Sequence, residues 1–312
     1  GETMMKSRTI ISLLAGLTVL LLASNSSAQL IQEDTTVQLG EHSYAIPDPG
    51  GAGIPNVGII VGERATLVID LGLGRLNGET ILREVAKVSN NNKLYIATTH
   101  YHPEHTTGSL AFPDGTVYIN SRVQEEENMA NGQRVIERFS GRSDLMRELL
   151  SDAELRTADI LFDRTLSLDL GGVTVDMLLV GPTHTLGDTG FFVEQDRVLF
   201  SGDVVMNNSF VSANAGSSMS AWLTAFDLFE EMEPQVIVPA HGEIGDASLI
   251  PTLRGVLLDI QDRALELKAE GISAEEAGAR VNSEMVARYP DWPRANGIAP
   301  LTISAWNQEG AN

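Results

Sequence analysis

Five of the six histidines lie in turns that follow directly on short apolar runs, and each of those turns is marked by glycine or proline. An apolar run of this length that stops at turn-forming residues reads as a buried strand feeding a loop. Three of the five fall together in His100-Tyr101-His102-Pro103-Glu104-His105, after the strand-like run Lys93 to Thr99. His184 follows Val173 to Val180, and His241 follows Gln235 to Pro239. The sixth, His42, is isolated in a hairpin-like stretch and reads as an ordinary structural residue.

The pattern around these runs sets the architecture. Strands are expected at Thr36 to Leu39, Ser43 to Ile46, Val57 to Val61 and Thr66 to Ile69, the last two joined by a turn at Gly62-Glu63-Arg64-Ala65. A helix over Asn77 to Val88 and a strand over Thr116 to Asn120 follow, then a long polar helical region from Ser121 to about Glu154. The second half repeats the order: strands at Asp163 to Asp169, Val173 to Val180, Gly190 to Glu194, Arg197 to Ser201 and Gln235 to Pro239, with a helix at Ala221 to Glu231. Leu253, Val256, Leu257, Ile260, Ala264 and Leu267 mark one apolar stripe, and Ala274 to Ala287 reads as a last helix before a proline-marked tail. Strand clusters followed by helices, twice, predict an α+β, four-layer αβ/βα sandwich of two mixed sheets flanked by helices.

Residues 1–28 are set apart. Lys6 and Arg8 precede an apolar run from Ile10 to Ala23, and Ser26-Ser27-Ala28 offers small residues of the kind a signal peptidase reads. The run is shorter than the ~20 residues of a membrane span. A cleaved signal peptide is therefore expected, with a periplasmic or secreted product and no stable membrane insertion afterwards. Residues 29–312 are expected to form one domain, closed by helices at about 250–290. The net charge of −21 argues against a nucleic-acid partner and leaves a small molecule as the expected substrate. With no cysteine, thiolate metal sites and cysteine nucleophiles are excluded.

Three imidazoles and a carboxylate within six residues make a natural zinc site, because neutral imidazole and carboxylate are the ligands that ion takes. In an extended segment residues 100, 102 and 104 share a side, and Pro103 bends the chain so that His105 turns toward the same space.

The ordered set of motifs resembles the metallo-β-lactamase superfamily. His100-Tyr-His102-Pro-Glu104-His105 is similar to that family's His-x-His-x-Asp-His signature, with Glu104 in place of the usual Asp. Leu67 to Gly72 looks like its early strand, Gly181 to Asp188 its second ligand turn, Leu199 to Asp203 its bridging-acid strand, and Pro239 to Gly242 its last ligand turn. The resemblance implies up to two zinc ions: His100, His102 and His184 hold the first, Glu104, His105 and His241 the second, and Asp203 bridges them. It also implies a hydrolase that uses a metal-bound hydroxide, with Glu104 and Asp203 as its catalytic carboxylates. Asp70 and Asp188 read as braces for the ligand turns.

An ester, lactone, thioester or β-lactam bond is the expected target. The acid at 203 looks more like the thioester, lactone and nuclease branches, and the acidic charge disfavours nucleases. The competing reading is a non-catalytic metal-binding or redox-accessory protein of the same fold. Glu125, Glu126 and Glu127 read as a solvated helix face. The loop Met206 to Ser220 reads either as a cover that offers Asn207, Asn208 or Asn214 to an oxyanion or as a linker.

Overall fold

The computed structural model describes residues 30–50 and 53–308, so the leader expected at 1–28 lies outside the described residues. Two mixed sheets face each other, with helices covering both outer surfaces. The first sheet runs in chain order through β1 (Val37–Gln38), β2 (Ser43–Ile46), β3 (Val57–Val61), β4 (Thr66–Ile69), β5 (Leu94–Ala97), β6 (Val117–Ser121) and β7 (Ile160–Phe162). It is antiparallel as far as β4 and parallel from β4 to β7. The second sheet has the order β13 (Gly245–Asp246), β12 (Val236–Pro239), β11 (Val198–Gly202), β10 (Thr189–Val193), β9 (Thr174–Leu179), β8 (Thr165–Asp169).

Alternation along the strands fills both faces of the first sheet. Leu67 and Ile69 point between the sheets toward Met177, Phe191 and Phe200, while Val68 points outward among Ile59 and Ile96. On that outer face lies α1 (Gly74–Val88), which seats Ile81 and Val85 there. The second sheet's outer face carries Phe192, Leu199 and Ile237, covered by Trp222, Phe226 and Phe229 of α5 (Met219–Glu231). Full burial of one such large apolar side chain is worth about 1.5–3 kcal/mol, so this face anchors the C-terminal helices. Those are α6 (Leu249–Ala269), α7 (Ala274–Arg288) and α8 (Ile298–Asn307). In the chain, α2 (Pro103–Thr106) connects β5 to β6, and α3 (Arg122–Ser140) and α4 (Asp144–Leu149) connect β6 to β7. Among the described residues no helix is long and apolar enough to cross a membrane.

Three expectations need correction. The long helical region after Ser121 breaks at Gly141, giving α3 and α4, and the residues near Glu154 are not helical. Strand β7 went unread because three residues are too few to show alternation. The proline-marked tail contains α8, in which Pro300 stands in the first turn, where its missing N–H is not required.

Direction positions the site. Strands β9, β11 and β12 run the same way, since β10 is antiparallel to both of its neighbours and β11 is parallel to β12. The C-terminal ends of these three strands therefore open on one edge of the second sheet. The C-terminal end of β5 meets that edge, where Thr189 N donates to Thr99 O at 2.8 Å, and the segment before β3 joins it through Asn56 N, which donates to Ala240 O at 2.7 Å. Turns that follow four strands thus converge.

Candidate metal centre

His100 leaves β5 fully enclosed, with its Nδ1 3.2 Å from Thr99 Oγ1. His102 is still extended and caps α2, whose first residue is Pro103. The segment is therefore not extended throughout, as the alternating reading required. Proline at the first helical position starts one tight turn, and that turn, rather than a bend, carries Glu104 and His105 into the interior. Both are buried, and His105 O accepts from Leu71 N at 2.9 Å, which fixes the turn against the end of β4.

The remaining residues arrive from the second sheet. His184 comes from the loop after β9, and Asp203 follows β11 directly. Gly202 adopts φ +62°, and a Cβ there would lie 2.9 Å from Thr99 Cβ, so this turn requires glycine to pass so close to the histidine loop. His241 follows β12, beside Asp203 because Gly202 and Pro239 are register partners.

These side chains form two trios. The ligand atoms of His100, His102 and His184 lie within 4.8 Å of one another, as do those of Glu104, His105 and His241. His102 Nδ1 stands 3.1 Å from His100 Nε2 and 3.3 Å from His184 Nε2. Asp203 lies between the trios, with Oδ2 3.5 Å from His184 Nε2 and Oδ1 4.0 Å from His241 Nε2. All seven residues expected from the sequence are brought together. His42 is not among them; its Nδ1 donates to Val61 O at 3.1 Å.

Neighbouring acceptors fix the rings. A carbonyl only accepts, so His184 Nδ1 donates to Ser212 O at 2.5 Å and His241 Nδ1 to Ile54 O at 2.8 Å. Each Nε2 is left as a lone pair. His105 Nδ1 stands 2.9 Å from Asp70 Oδ2, an ion-pair contact rather than a well-aligned hydrogen bond. Asp70 itself, at φ +63°, accepts from Thr99 N at 2.8 Å. Asp188 accepts from Thr185 N at 2.9 Å and Thr185 Oγ1 at 2.6 Å, bracing the turn that presents His184.

The electrostatics suit a cation. Burial, together with the neighbouring imidazoles, holds His100 and His102 well below the ordinary histidine range, so both rings are neutral donors. Burial also opposes a charge on His105, but Asp70 outweighs it and pushes that pKa up to about 9. An ion must displace that proton to use the ring. Burial alone would raise Asp203; the Arg294 guanidinium and the imidazoles around it hold the carboxyl far below its usual range. Glu104 Oε2, His105 Nε2 and Asp203 Oδ1 are buried without a hydrogen-bond partner among the described residues. Unpaired buried polar atoms are costly, and three of them facing one centre fit a bound cation.

Three features escaped sequence reasoning. Arg294, at φ +68°, reaches back from beyond α7 and places Nη1 3.0 Å from Asp203 Oδ2 and 3.0 Å from Ser212 Oγ. Only the Pro-Arg-Ala-Asn-Gly turn hinted at an ordered loop there. Glu127 is no solvated face: its Oε2 accepts from Gly187 N at 2.9 Å, on the turn after His184. Two of the asparagine amides also hold backbone carbonyls. Asn207 Nδ2 donates to Glu243 O at 3.1 Å and Asn214 Nδ2 to His184 O at 2.7 Å, while Asn208 is exposed. Of the three, only Asn214 lines the cavity.

A cavity of about 1090 Å³ opens over the trios, walled by Tyr101, Phe139, Leu186 and Arg294 among others. The overall shape has solved counterparts. A metallo-beta-lactamase from Pontibacter korlensis matches with TM-score 0.59 at 18% identity, over 72% of this chain and 98% of that one. The DIM-1 metallo-beta-lactamase matches with TM-score 0.57 at 15% identity, over 73% and 98%. The stereoselective inverting sec-alkylsulfatase Pisa1 from Pseudomonas sp. matches with TM-score 0.66 at 14% identity, over 87% of this chain but 49% of its own length. No curated protein matches significantly in sequence. The sequence profile of the metallo-beta-lactamase superfamily covers residues 50–241, which contain both trios and Asp203, and the chain belongs to that superfamily.

Proposed function

We propose that the protein is an exported zinc-dependent hydrolase acting on an ester, lactone, thioester or β-lactam bond of a small molecule. The observation that carries this reading is the pair of buried donor trios flanking Asp203, with ligand atoms left unpaired beneath an open cavity. Nitrogen and carboxylate donors with no thiolate are a set that zinc accepts. His100, His102 and His184 would hold one ion, Glu104, His105 and His241 a second, and Asp203 would touch both. Bound zinc supplies a water of lowered pKa, near ~7, and polarises the oxygen of the bond to be cleaved.

The chain's own residues do the rest. Ser212 O and Ile54 O hold His184 and His241 with Nε2 facing inward. Arg294 holds the Asp203 carboxylate in place and keeps it ionised. Glu104 keeps a buried acceptor oxygen that would be available to a bound ion or its water, and Tyr101 and Phe139 line the cavity. A leader over residues 1–28 and export to the periplasm belong to the same proposal, supported by the charged, apolar and small-residue order of that segment.

The test is metal analysis of protein purified without added metal, followed by turnover on a panel of esters, lactones, thioesters and β-lactams before and after chelation. Up to two equivalents of zinc and chelator-sensitive turnover are expected. Less than half an equivalent of any transition metal, with no rescue by zinc, overturns the proposal. Intact-mass measurement on secreted material should give a mature N-terminus at Gln29.

A further inference from the structure

The cavity wall carries arginines that form no ion pair with a described residue. Among the described arginines, Arg134, Arg138, Arg142 and Arg164 have no carboxylate of a described residue within 4.0 Å. Acids outnumber bases 42 to 21 in this chain, so an arginine without an acidic partner is the unusual case. Three of the four line the same cavity. Arg134 and Arg138 are one turn apart on α3, and Arg142 continues the row just past its end.

The row lies close to the donor trios. The Arg142 guanidinium carbon is 3.6 Å from the centre of the Phe139 ring, and that ring is 6.2 Å from the His102 ring. One aromatic side chain therefore separates the guanidinium from the chemistry. Glu104 and Asp203 also line the cavity, on the side of the trios, and the two remaining acids of the wall are hydrogen-bonded to backbone. Asp48 accepts from Gly50 N at 2.7 Å and Gly242 N at 3.0 Å, and Glu127 from Gly187 N. Val135, Phe139 and Leu186 add apolar surface to the same cavity.

We infer that the cavity binds a small molecule with an apolar body and an anionic end group, a carboxylate or sulfonate, held by Arg138 and Arg142 with Arg134 adding to the field. The three arginines are exposed, so their charge reaches an incoming anion, and the guanidinium fork matches such oxyanions with paired N–H donors. The assignment of the reactive end to the trios rests on the hydrolase reading above; the anion site itself does not.

Calorimetric titration with 4-phenylbutyrate, 4-phenylbutanesulfonate and the neutral 4-phenylbutanamide tests this on both zinc-loaded and chelator-treated full-length protein. An arginine-held anion keeps binding after chelation, whereas a carboxylate bound directly to metal is lost. At least one anion should bind about tenfold more tightly than the amide, and less so as salt is raised. Arg138→Gln with Arg142→Gln should remove that preference, and the Lys pair should restore part of it. Preference for the carboxylate over the sulfonate, or the reverse, identifies the end group and supports the site either way. Equal binding of the amide, loss of anion binding on chelation, or an unchanged preference in a Gln variant that melts like the parent overturns it. Anion binding without turnover on any ester, lactone, thioester or β-lactam of the panel sinks the hydrolase proposal alone, and turnover without anion preference sinks this one alone.

Discussion

Arg294 donates to Asp203 across 91 residues of sequence, with Nη1 3.0 Å from Oδ2. The carboxylate proposed to lie between two ions is thus oriented by a side chain from the C-terminal helical region, outside the segment that matches the family profile. Arg294→Met keeps most of the packing and removes the charge. Residues that orient a ligand typically contribute 10–100-fold to metal affinity or activity, so a loss of about that size is expected. Zinc titration against a competing chelator measures it. Unchanged affinity and turnover would show that the contact is only structural.

Glu104 carries one more methylene than the acid usual at its place in the signature, so holding its carboxylate costs more side-chain entropy. Glu104→Ala should retain roughly one zinc, on the trio of three imidazoles, and lose most turnover. Dialysis followed by metal analysis should show the second equivalent leaving first. Two retained equivalents with parental rates would make Glu104 a bystander.

Gly202→Ala places a Cβ in a left-handed backbone conformation and 2.9 Å from Thr99 Cβ. The conformation alone costs about 1–2 kcal/mol, and the contact adds to it. A melting temperature lower by about 5 °C is expected. A variant that melts like the parent would show that this turn relaxes freely.

Acid should loosen the start of the described chain through Glu84. Its side chain is enclosed and accepts from Asp34 N at 2.9 Å and Thr36 Oγ1 at 2.5 Å, and it also pairs with Lys87. Burial works to raise its pKa, but the Lys87, Thr36 and Asp34 contacts prevail and lower it below 4.5. A group whose folded pKa is depressed contributes stability that is complete above the unfolded value and is lost as pH falls through the folded one. Melting temperature should therefore fall more steeply below pH 4.5 in the parent than in Glu84→Gln. Equal slopes below that pH would remove Glu84 from the account.

The legible part of the site is the part in which each ligand directly follows its own strand. His100, Asp203 and His241 sit at the ends of runs whose burial is local, so their place at strand ends could be read from pattern alone. Glu104 and His105 were found, but their route was not, because Pro103 starts a helical turn where alternation had suggested an extended one. Arg294 and the α3 arginines stayed hidden for a different reason. A charged side chain in a loop or on a polar helix face carries no periodic signal, and its partner is set by tertiary packing. Glu127 was misjudged on the same ground: three adjacent glutamates look solvated until the His184 turn is laid against one of them.

The ligand residues come from both sheets, His100 to His105 from one and His184, Asp203 and His241 from the other. Any ion held there ties together chain segments about 80 to 140 residues apart, by the numbering of its donors. Order of synthesis then matters: a nascent chain that has not reached residue 241 has no complete second trio, and one that stops short of residue 294 lacks the cation that steadies Asp203. Each trio draws on both sheets, so neither is complete until segments of the two sheets have come together.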